Sequence, residues 1–218
     1  MALKKQILFI RHGQTDWNNE MRYQGQSDVP LNAEGLEQAD RVSLRLAASF
    51  EADLIVSSPL LRARRTAEII AARQSCNVLH VREGLKEIAF GEWEGLSVSE
   101  VEARFSEEHS QWRKDPSTLV PRSGESFNEV RQRVAEILDE ILKRDEERIL
   151  VIAHGGSIRT ALVELLKVSS SLVWRMRLDN CSISSIHAYR SVMMLSFLND
   201  AMHLYVPREI IQQLPLSS

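Results

Sequence analysis

Three short apolar runs constrain the fold of this chain more than any other feature of its sequence. Residues 7–10 (ILFI), 54–56 (LIV) and 148–153 (RILVIA) are continuous runs of the kind found in strands that are buried on both faces of a sheet. The segments between them include amphipathic stretches with the periodicity of helices. Because strands that alternate with helices build layered folds, the sequence predicts an α/β fold, a three-layer α/β/α sandwich around a mostly parallel sheet.

Helix-capping signals locate further elements. Asn32 precedes an amphipathic stretch, and Ser58-Pro59 combines a favourable N-cap residue with proline at the first helical position. Capping boxes, in which a serine and a later glutamate satisfy the first helix amides, occur at residues 97–100 and 126–129. Residues 182–198 have the pattern of two antiparallel strands. These signals predict where the helices begin and where a hairpin forms.

Length and composition indicate one globular domain. The chain has 218 residues, of which 44% are hydrophobic and 26% are charged, and these values exclude a disordered or fibrous protein. We therefore expect residues 1–218 to form a single domain. A lid-like excursion is expected at about residues 97–125, where two prolines interrupt the pattern.

The charge balance and the cysteines exclude several classes of partner and site. The formal net charge is −3, so we predict neither nucleic acid nor a membrane as a partner. Cys76 and Cys181 are too few for a disulfide framework and lack metal-ligand spacing. The first apolar run is too short for a signal peptide or a membrane span, which favours a cytoplasmic protein. Nothing in the sequence predicts an oligomeric state.

Cationic residues follow each apolar run. Residues 11–13 (RHG) come after the first, Arg62 shortly after the second, and residues 154–156 (HGG) after the third. Each residue alone is more often structural, but the carboxyl ends of parallel strands meet at one edge, where α/β proteins bind ligands. Two histidines and two arginines together predict an anion site there. We also expect the glycine after each histidine to admit a ligand close to the backbone, with free helix amides aimed at it.

The residue types at this edge favour phosphoryl transfer with a histidine nucleophile. Arginines repel cations, and the sequence lacks both the serine-hydrolase elbow and the glycine-rich loops of nucleotide-binding proteins. Imidazole is nucleophilic near neutral pH, and arginines stabilise a phosphoryl transition state without a metal ion. We therefore expect no metal and no cofactor. The leaving group still needs a proton donor, and Glu87, Glu92 and Glu94 are candidates among which the residue pattern does not choose.

Residues 11–18 (RHGQTDWN) resemble the Arg-His-Gly-x-Thr-x-x-Asn signature of the histidine phosphatase superfamily, in its phosphoglycerate mutase-like branch. The resemblance covers roughly residues 5–204 and implies a phosphoglycerate mutase-like fold. Further matching segments are residues 24–25 (QG), 31–35 (LNAEG), 57–67 (SSPLLRARRTA), 87–95 (EIAFGEWEG), 124–126 (GES) and 153–159 (AHGGSIR).

The resemblance also implies roles for single residues. His12 would attack phosphorus and become phosphohistidine, while Glu87 would protonate the leaving group and then activate water. The other residues expected in catalysis would hold the phosphoryl oxygens: Arg11, Arg62 and His154. The residues expected to bind substrate are Asn18, Gln24, Gly25 and Gly155. Glu92 and Glu94 are then expected to be solvated or structural.

The spacing of two motifs favours a phosphatase over a mutase. Mutases of this superfamily typically carry a long insertion between the proton donor and the second histidine, whereas Glu87 and His154 are only 67 positions apart. Phe90 also stands where mutases commonly have tyrosine. The predicted function is metal-independent hydrolysis of a small phosphorylated metabolite through phosphohistidine. The alternatives are a cofactor-dependent phosphoglycerate mutase and a non-catalytic phosphate-binding or regulatory domain.

The leaving group is expected to lie near Ala89, Phe90 and residues 112–122. Three cations of this region, Arg113, Lys114 and Arg122, have two interpretations. They hold a second anionic group of the substrate, or they are solvated surface charges.

Overall fold

A computed structural model of the chain describes residues 3–216, in which one mixed sheet lies between two layers of helices. Its strands are β1 (Leu3–Arg11), β2 (Leu54–Ser57), β3 (Leu79–Val81), β4 (Arg148–Ala153), β5 (Ile183–Tyr189) and β6 (Met193–Asp200). Their order is β3-β2-β4-β1-β5-β6, where the first four are parallel, β5 is antiparallel to β1, and β6 is antiparallel to β5. The predicted α/β fold with a mostly parallel sheet is confirmed.

Helices cover both faces of the sheet. They are α1 (Asp16–Asn19), α2 (Ala33–Ser49), α3 (Leu61–Ala71), α4 (Val98–Arg104), α5 (Ser106–Lys114), α6 (Phe127–Lys143) and α7 (Gly155–Leu166). Helices α2 and α3 pack with Leu8 and Ile10 of β1, whereas α6 and α7 pack with Ile7 and Phe9. Alternate residues of β1 thus serve two separate cores, which explains its continuous apolar run. None of the helices described is both long and apolar enough to cross a membrane.

The parallel register brings three strand ends to one edge of the sheet. Arg11 lies opposite Ala153, so the chain leaves β1 and β4 at the same level. The amide of His12 donates to the carbonyl of Ala153 over 3.0 Å. On the other side of β4, the amide of Ser58 donates to the carbonyl of Ile152 over 3.0 Å. The residues that follow the three strands therefore emerge side by side.

Most of the predicted element boundaries are confirmed. The side chain of Asn32 accepts from the amide of Gly35 over 2.8 Å and caps α2. Both capping boxes form, at Ser97 before α4 and at Ser126 before α6. The predicted hairpin is present as β5 and β6. Two short elements, α1 and β3, were not predicted because neither is long enough to show a period.

The prediction that Ser58 caps the helix after Pro59 is wrong. Helix α3 begins at Leu61 with Leu60 as its N-cap residue, and it ends at Ala71. The hydroxyl of Ser58 accepts from the amide of Leu60 over 3.3 Å, and it also contacts a side chain of the site described below.

Residues 97–125 carry α4, α5 and a short turn of 3-10 helix at Pro116–Thr118. Trp112 at the end of α5 is only 3% exposed. Its ring lies 4.4 Å, centroid to centroid, from that of Trp174, and it packs edge-on against Phe90 and Trp93. This aromatic cluster holds the segment beside the edge where the strands end.

Candidate active site

A cavity of about 240 Å³ lies where β1, β2 and β4 end. Residues predicted for the site that line it are Arg11, His12, Asn18, Gln24, Gly25, Arg62, Glu87 and Gly155. His154 is fully buried next to His12, and their ring centroids are 5.1 Å apart with an angle of 55° between the rings. The structure therefore brings together the residues that the sequence proposed for catalysis and for binding of the substrate.

His12 has its nucleophilic nitrogen free. Its Nδ1 atom lies 2.7 Å from the carbonyl oxygen of Gly13, which only accepts, so Nδ1 carries the proton and Nε2 keeps its lone pair. Burial, and then the positive charges of Arg62 and Arg11, hold the pKa of His12 well below its ordinary value. The imidazole is therefore neutral at physiological pH, as a nucleophile must be.

Arg11 and Arg62 are each held by backbone carbonyls on one side. Arg11 Nη1 donates to Leu178 over 2.7 Å, while Arg62 donates through Nη2 to Gly25 over 2.7 Å and through Nη1 to Ser27 over 2.8 Å. The Nε atoms of both arginines are buried and have no hydrogen-bond partner in the described part of the chain. Burial lowers the pKa of Arg62 to about 10, which still leaves it charged at neutral pH. Each guanidinium thus has a fixed position and an N–H left for an anion.

His154 is oriented by Ser58. Its Nε2 atom lies 2.7 Å from Ser58 Oγ, while its buried Nδ1 atom has no partner among the described residues. Burial, followed by the charge of Arg62, holds the pKa of His154 well below its ordinary value. Sequence reasoning missed the role of Ser58 because it assigned the hydroxyl to a helix cap.

The carboxylate of Glu87 binds the start of α7. It accepts from the amides of Ile88 over 2.9 Å, Gly156 over 3.0 Å and Ser157 over 3.1 Å. The expectation that these helix amides face a ligand directly is wrong for Gly156 and Ser157, because a carboxylate at a helix N-terminus satisfies them first. A Cβ at Gly156 would lie 2.4 Å from Glu87 Oε1, so glycine is required there for the carboxylate.

Gly13 is required for packing. A Cβ at this position would lie 2.4 Å from the carbonyl oxygen of Gly35, at the start of α2. Gly13 is not among the residues that line the cavity, and the expected close approach of a ligand to its backbone stays a prediction. The glycine lets α2 pack tightly against the end of β1.

The three candidate glutamates have different surroundings. Glu87 lines the cavity, and Glu92 is exposed. Glu94 accepts hydrogen bonds from the amides of Gln26, Ser27 and Phe90 and from the Ser27 hydroxyl. It holds the loop whose carbonyls bind Arg62, and it is structural as expected.

The ion pair between Arg133 and Glu125 supports the backbone of Glu87. Arg133 of α6 donates to the carbonyls of Gly84, Lys86 and Glu87 over 2.8, 2.7 and 2.9 Å. The same guanidinium binds the carboxylate of Glu125, with a shortest distance of 2.6 Å. Sequence reasoning missed Arg133, which lies on a helix face where an arginine is ordinarily a surface charge.

The cavity also has an aromatic wall and two further arginines. Its aromatic residues are Trp17, Tyr23, Phe90, Trp112 and Trp174. Arg113 and Arg159 line the cavity as well, and neither forms an ion pair with the described residues. Arg159 donates through Nε to the carbonyl of Met176 over 2.7 Å and lies over the Trp174 ring.

The three cations named from the sequence therefore differ in position. Arg113 lines the cavity, whereas Lys114 is exposed and outside it. Arg122 is exposed and pairs with Glu108 over 2.6 Å. Of these three, only Arg113 is placed to contact a substrate. Within residues 3–216, no cluster of three or more histidine, cysteine, aspartate or glutamate side chains is arranged to hold a metal ion.

Comparison with known proteins identifies the family. The family model described as the histidine phosphatase superfamily (branch 1) matches residues 7–201. The chain belongs to the histidine phosphatase superfamily. Phosphoserine phosphatase 1 of Hydrogenobacter thermophilus is 33% identical over 199 residues, which cover 91% of this chain and 93% of that protein.

Other members of the superfamily are similar over nearly the whole chain. The probable phosphoglycerate mutase GpmB of Escherichia fergusonii is 34% identical over 213 residues, with coverage of 93% and 96%. The solved structure of a mycobacterial glucosyl-3-phosphoglycerate phosphatase with VO3 superposes with a TM-score of 0.81 at 29% identity, and the match covers 90% of this chain and 99% of that one. The resemblance seen in the sequence is thus confirmed, and the chain is a phosphatase of the histidine phosphatase superfamily.

Proposed function

We propose that this phosphatase hydrolyses a small phosphorylated metabolite through a phosphohistidine on His12, without a metal ion. One observation supports this most. The neutral imidazole of His12 has its Nε2 lone pair free, and next to it are buried nitrogen atoms of Arg11, Arg62 and His154 that lack partners in the described chain. Such groups are costly to bury unless an anion binds them.

In the first step, the phosphoryl oxygens accept from the Nε atoms of Arg11 and Arg62, from Asn18 and from His154. His154 donates through Nδ1 when the hydroxyl of Ser58 donates to its Nε2. His12 Nε2 attacks phosphorus and the bond to the leaving oxygen breaks. Glu87 transfers to that oxygen the proton that it takes from water in the second step of the preceding turnover, and the amides at the start of α7 then stabilise the carboxylate that remains.

In the second step, a water molecule attacks the phosphorus of phosphohistidine. Glu87 accepts a proton from this water, the P–N bond breaks, and its electron pair returns to Nε2 of His12. Inorganic phosphate is the product. Gln24, Gly25 and Gly155 line the cavity at positions suited to contact the substrate, and residues 97–125 cover the leaving group.

The aromatic wall of the cavity and the arginines beside it set the class of substrate. The wall accommodates an organic leaving group, while Arg113 and Arg159 favour one that carries an anionic substituent. The similarity to proteins named for phosphoserine and glucosyl-3-phosphoglycerate is consistent with this class.

A phosphoglycerate mutase is the second candidate, and the similarity to GpmB favours it. With 3-phosphoglycerate and its bisphosphorylated primer, we expect inorganic phosphate and little 2-phosphoglycerate. Isomerisation faster than phosphate release would mean that water is kept from the phosphohistidine, and the mutase would be the correct function.

The decisive experiment is replacement of the nucleophile. His12→Ala should abolish turnover of an aryl phosphate while its circular dichroism stays unchanged. In the wild type, phosphohistidine should be trapped after an alkaline quench and destroyed by acid, and a chelator should leave the rate unaffected. More than a few per cent of wild-type turnover in His12→Ala would remove the mechanism. Activity that is lost with chelator and restored by a metal ion would remove metal independence.

A further inference from the structure

The turn formed by residues 178–181 lies behind the phosphate-binding residues and was not singled out in the sequence. Leu178 accepts from Arg11, and the amide of Cys181 donates to the carbonyl of Arg11 over 2.9 Å. Asp179 in turn is joined to Asn199 of β6 by two hydrogen bonds, of 2.6 and 3.0 Å. The turn is therefore anchored both to the end of β1 and to the neighbouring hairpin.

Asn180 in this turn uses both hydrogens of its side-chain amide. Its Nδ2 atom donates to the carbonyl oxygen of His12 over 2.9 Å and to Oδ1 of Asn18 over 3.2 Å. The first bond ties Asn180 to the backbone of His12, and the second reaches a side chain that lines the cavity. Asn180 thus bridges two residues that the proposed reaction needs.

The donors around Asn18 determine which way its amide faces. Its Oδ1 atom accepts from the amide and the hydroxyl of Thr15 and from Asn180, each over 3.2 Å. In the reversed orientation, the NH2 group would meet the N–H donors of Thr15 and Asn180, which cannot accept from it. The observed orientation leaves the NH2 group of Asn18 for the cavity. An oxygen there would repel a phosphoryl group.

We propose that Asn180 is a positioning residue for phosphoryl transfer, which holds Asn18 with its NH2 group toward the phosphoryl oxygens. The proposal rests on the proposed function, in which Asn18 donates to those oxygens. Asn180 itself would not contact the substrate. The effect of Asn180 on turnover would depend on Asn18, and this dependence can be measured.

The test is a double-mutant cycle on hydrolysis of p-nitrophenyl phosphate. Asn180→Ala should lower kcat/KM roughly 10-fold, the size expected for a weakened hydrogen bond to a charged group. Asn180→Asp should lower it further, because a carboxylate cannot donate to Oδ1 of Asn18 and because its charge repels the phosphoryl group. In the Asn18→Ala background, Asn180→Ala should change kcat/KM by less than about threefold, whereas Asn180→Asp should keep the part of its effect that comes from charge. The exposed neighbour Asn19 supplies the control, and Asn19→Ala should behave as wild type.

A full effect of Asn180→Ala in the Asn18→Ala background would overturn the proposal, since Asn180 would then act through another group. Inhibition by vanadate gives a second readout, and it should weaken in Asn180→Ala but not further in the double variant. If Asn180→Ala does not fold, Asn180→Ser, which keeps a short donor, replaces it in the same cycle. His12→Ala is measured in parallel, so failure of the proposed function is seen separately from failure of this inference.

Discussion

The part of the cavity around His12 (the phosphoryl end) and the part around Arg113 (the leaving-group end) are built in different ways. At the phosphoryl end, His12, Arg62 and His154 are at most 3% exposed, and each is held by a hydrogen bond to the backbone or to a buried hydroxyl. At the leaving-group end, Arg113 is exposed at the end of α5, on a segment anchored by the rings of His109 and Trp112.

This difference corresponds to what each end must recognise. A phosphoryl group has the same shape and charge in every monoester, so its ligands can be fixed before binding, which favours the transition state. Leaving groups differ, and their contacts come from a surface segment, where changes cost little stability. We therefore expect substitutions at the first end to reduce turnover of all substrates, and those at the second to change the ranking of substrates.

The largest effect is expected at Glu87, which lies between the two ends. Glu87→Gln should lower hydrolysis of an alkyl phosphate on the order of 10²-fold or more, because an alkoxide cannot leave unprotonated. Hydrolysis of an aryl phosphate should be affected less, because its leaving group needs no proton. Its turnover is still limited, because Glu87 is also the base that accepts a proton from water in the second step. The measurement compares kcat/KM of the two esters, with Glu92→Gln as the control at an exposed position. Equal or larger losses in Glu92→Gln would contradict the assignment.

A smaller loss, independent of the leaving group, is expected at Glu94. Each of its carboxylate oxygens accepts two hydrogen bonds, so the NH2 group of Glu94→Gln must face a backbone N–H in either orientation. The loop that holds Arg62 should shift, and kcat/KM should fall roughly 10-fold for alkyl and aryl esters alike. A variant with wild-type rates would show that Arg62 does not depend on this loop.

Arg113 tests the leaving-group end. Arg113→Ala should leave kcat/KM for p-nitrophenyl phosphate within about twofold of wild type and raise KM for 3-phosphoglycerate roughly fivefold, since only the latter offers a carboxylate to the guanidinium. Lys114→Ala, in the next residue and outside the cavity, is the matched control. The comparison of the two ends fails if both esters lose activity equally.

The smallest effect concerns stability against pH. His12 and His154 are buried with pKa values lowered well below the ordinary one, and burial lowers the pKa of His203 to about 4. In the unfolded chain these groups bind protons below about pH 6.5, so the folded state loses stability as pH falls below that value. Each group should contribute about 1 kcal/mol to the loss between pH 7.5 and 5.5, measured by urea unfolding. His12→Gln should show a smaller loss than wild type.

Local sequence patterns were sufficient to predict the central strands and the starts of several helices. Burial on both faces of a sheet requires apolar residues in the central parts of β1, β2 and β4, so residues 7–10, 54–56 and 149–153 could be recognised as continuous apolar runs. The capping boxes at Ser97 and Ser126 were also predictable, since both partners lie within one helical turn. The cationic residues could be assigned to one edge because the carboxyl ends of parallel strands meet there.

The contacts that orient the site depended on the tertiary structure. Ser58 reaches His154 across 96 positions, Arg133 supports Glu87 across 46, and Asn180 binds His12 across 168. The tertiary structure also determined that Glu87, and not Glu94, lines the cavity. Such partners leave no periodic signal, because they are set by how the helix layers and loops pack against the sheet. Interactions between residues close in sequence therefore specify the helices and strands. The orientation of each imidazole, guanidinium and amide of the site is fixed only when distant segments of the chain pack together.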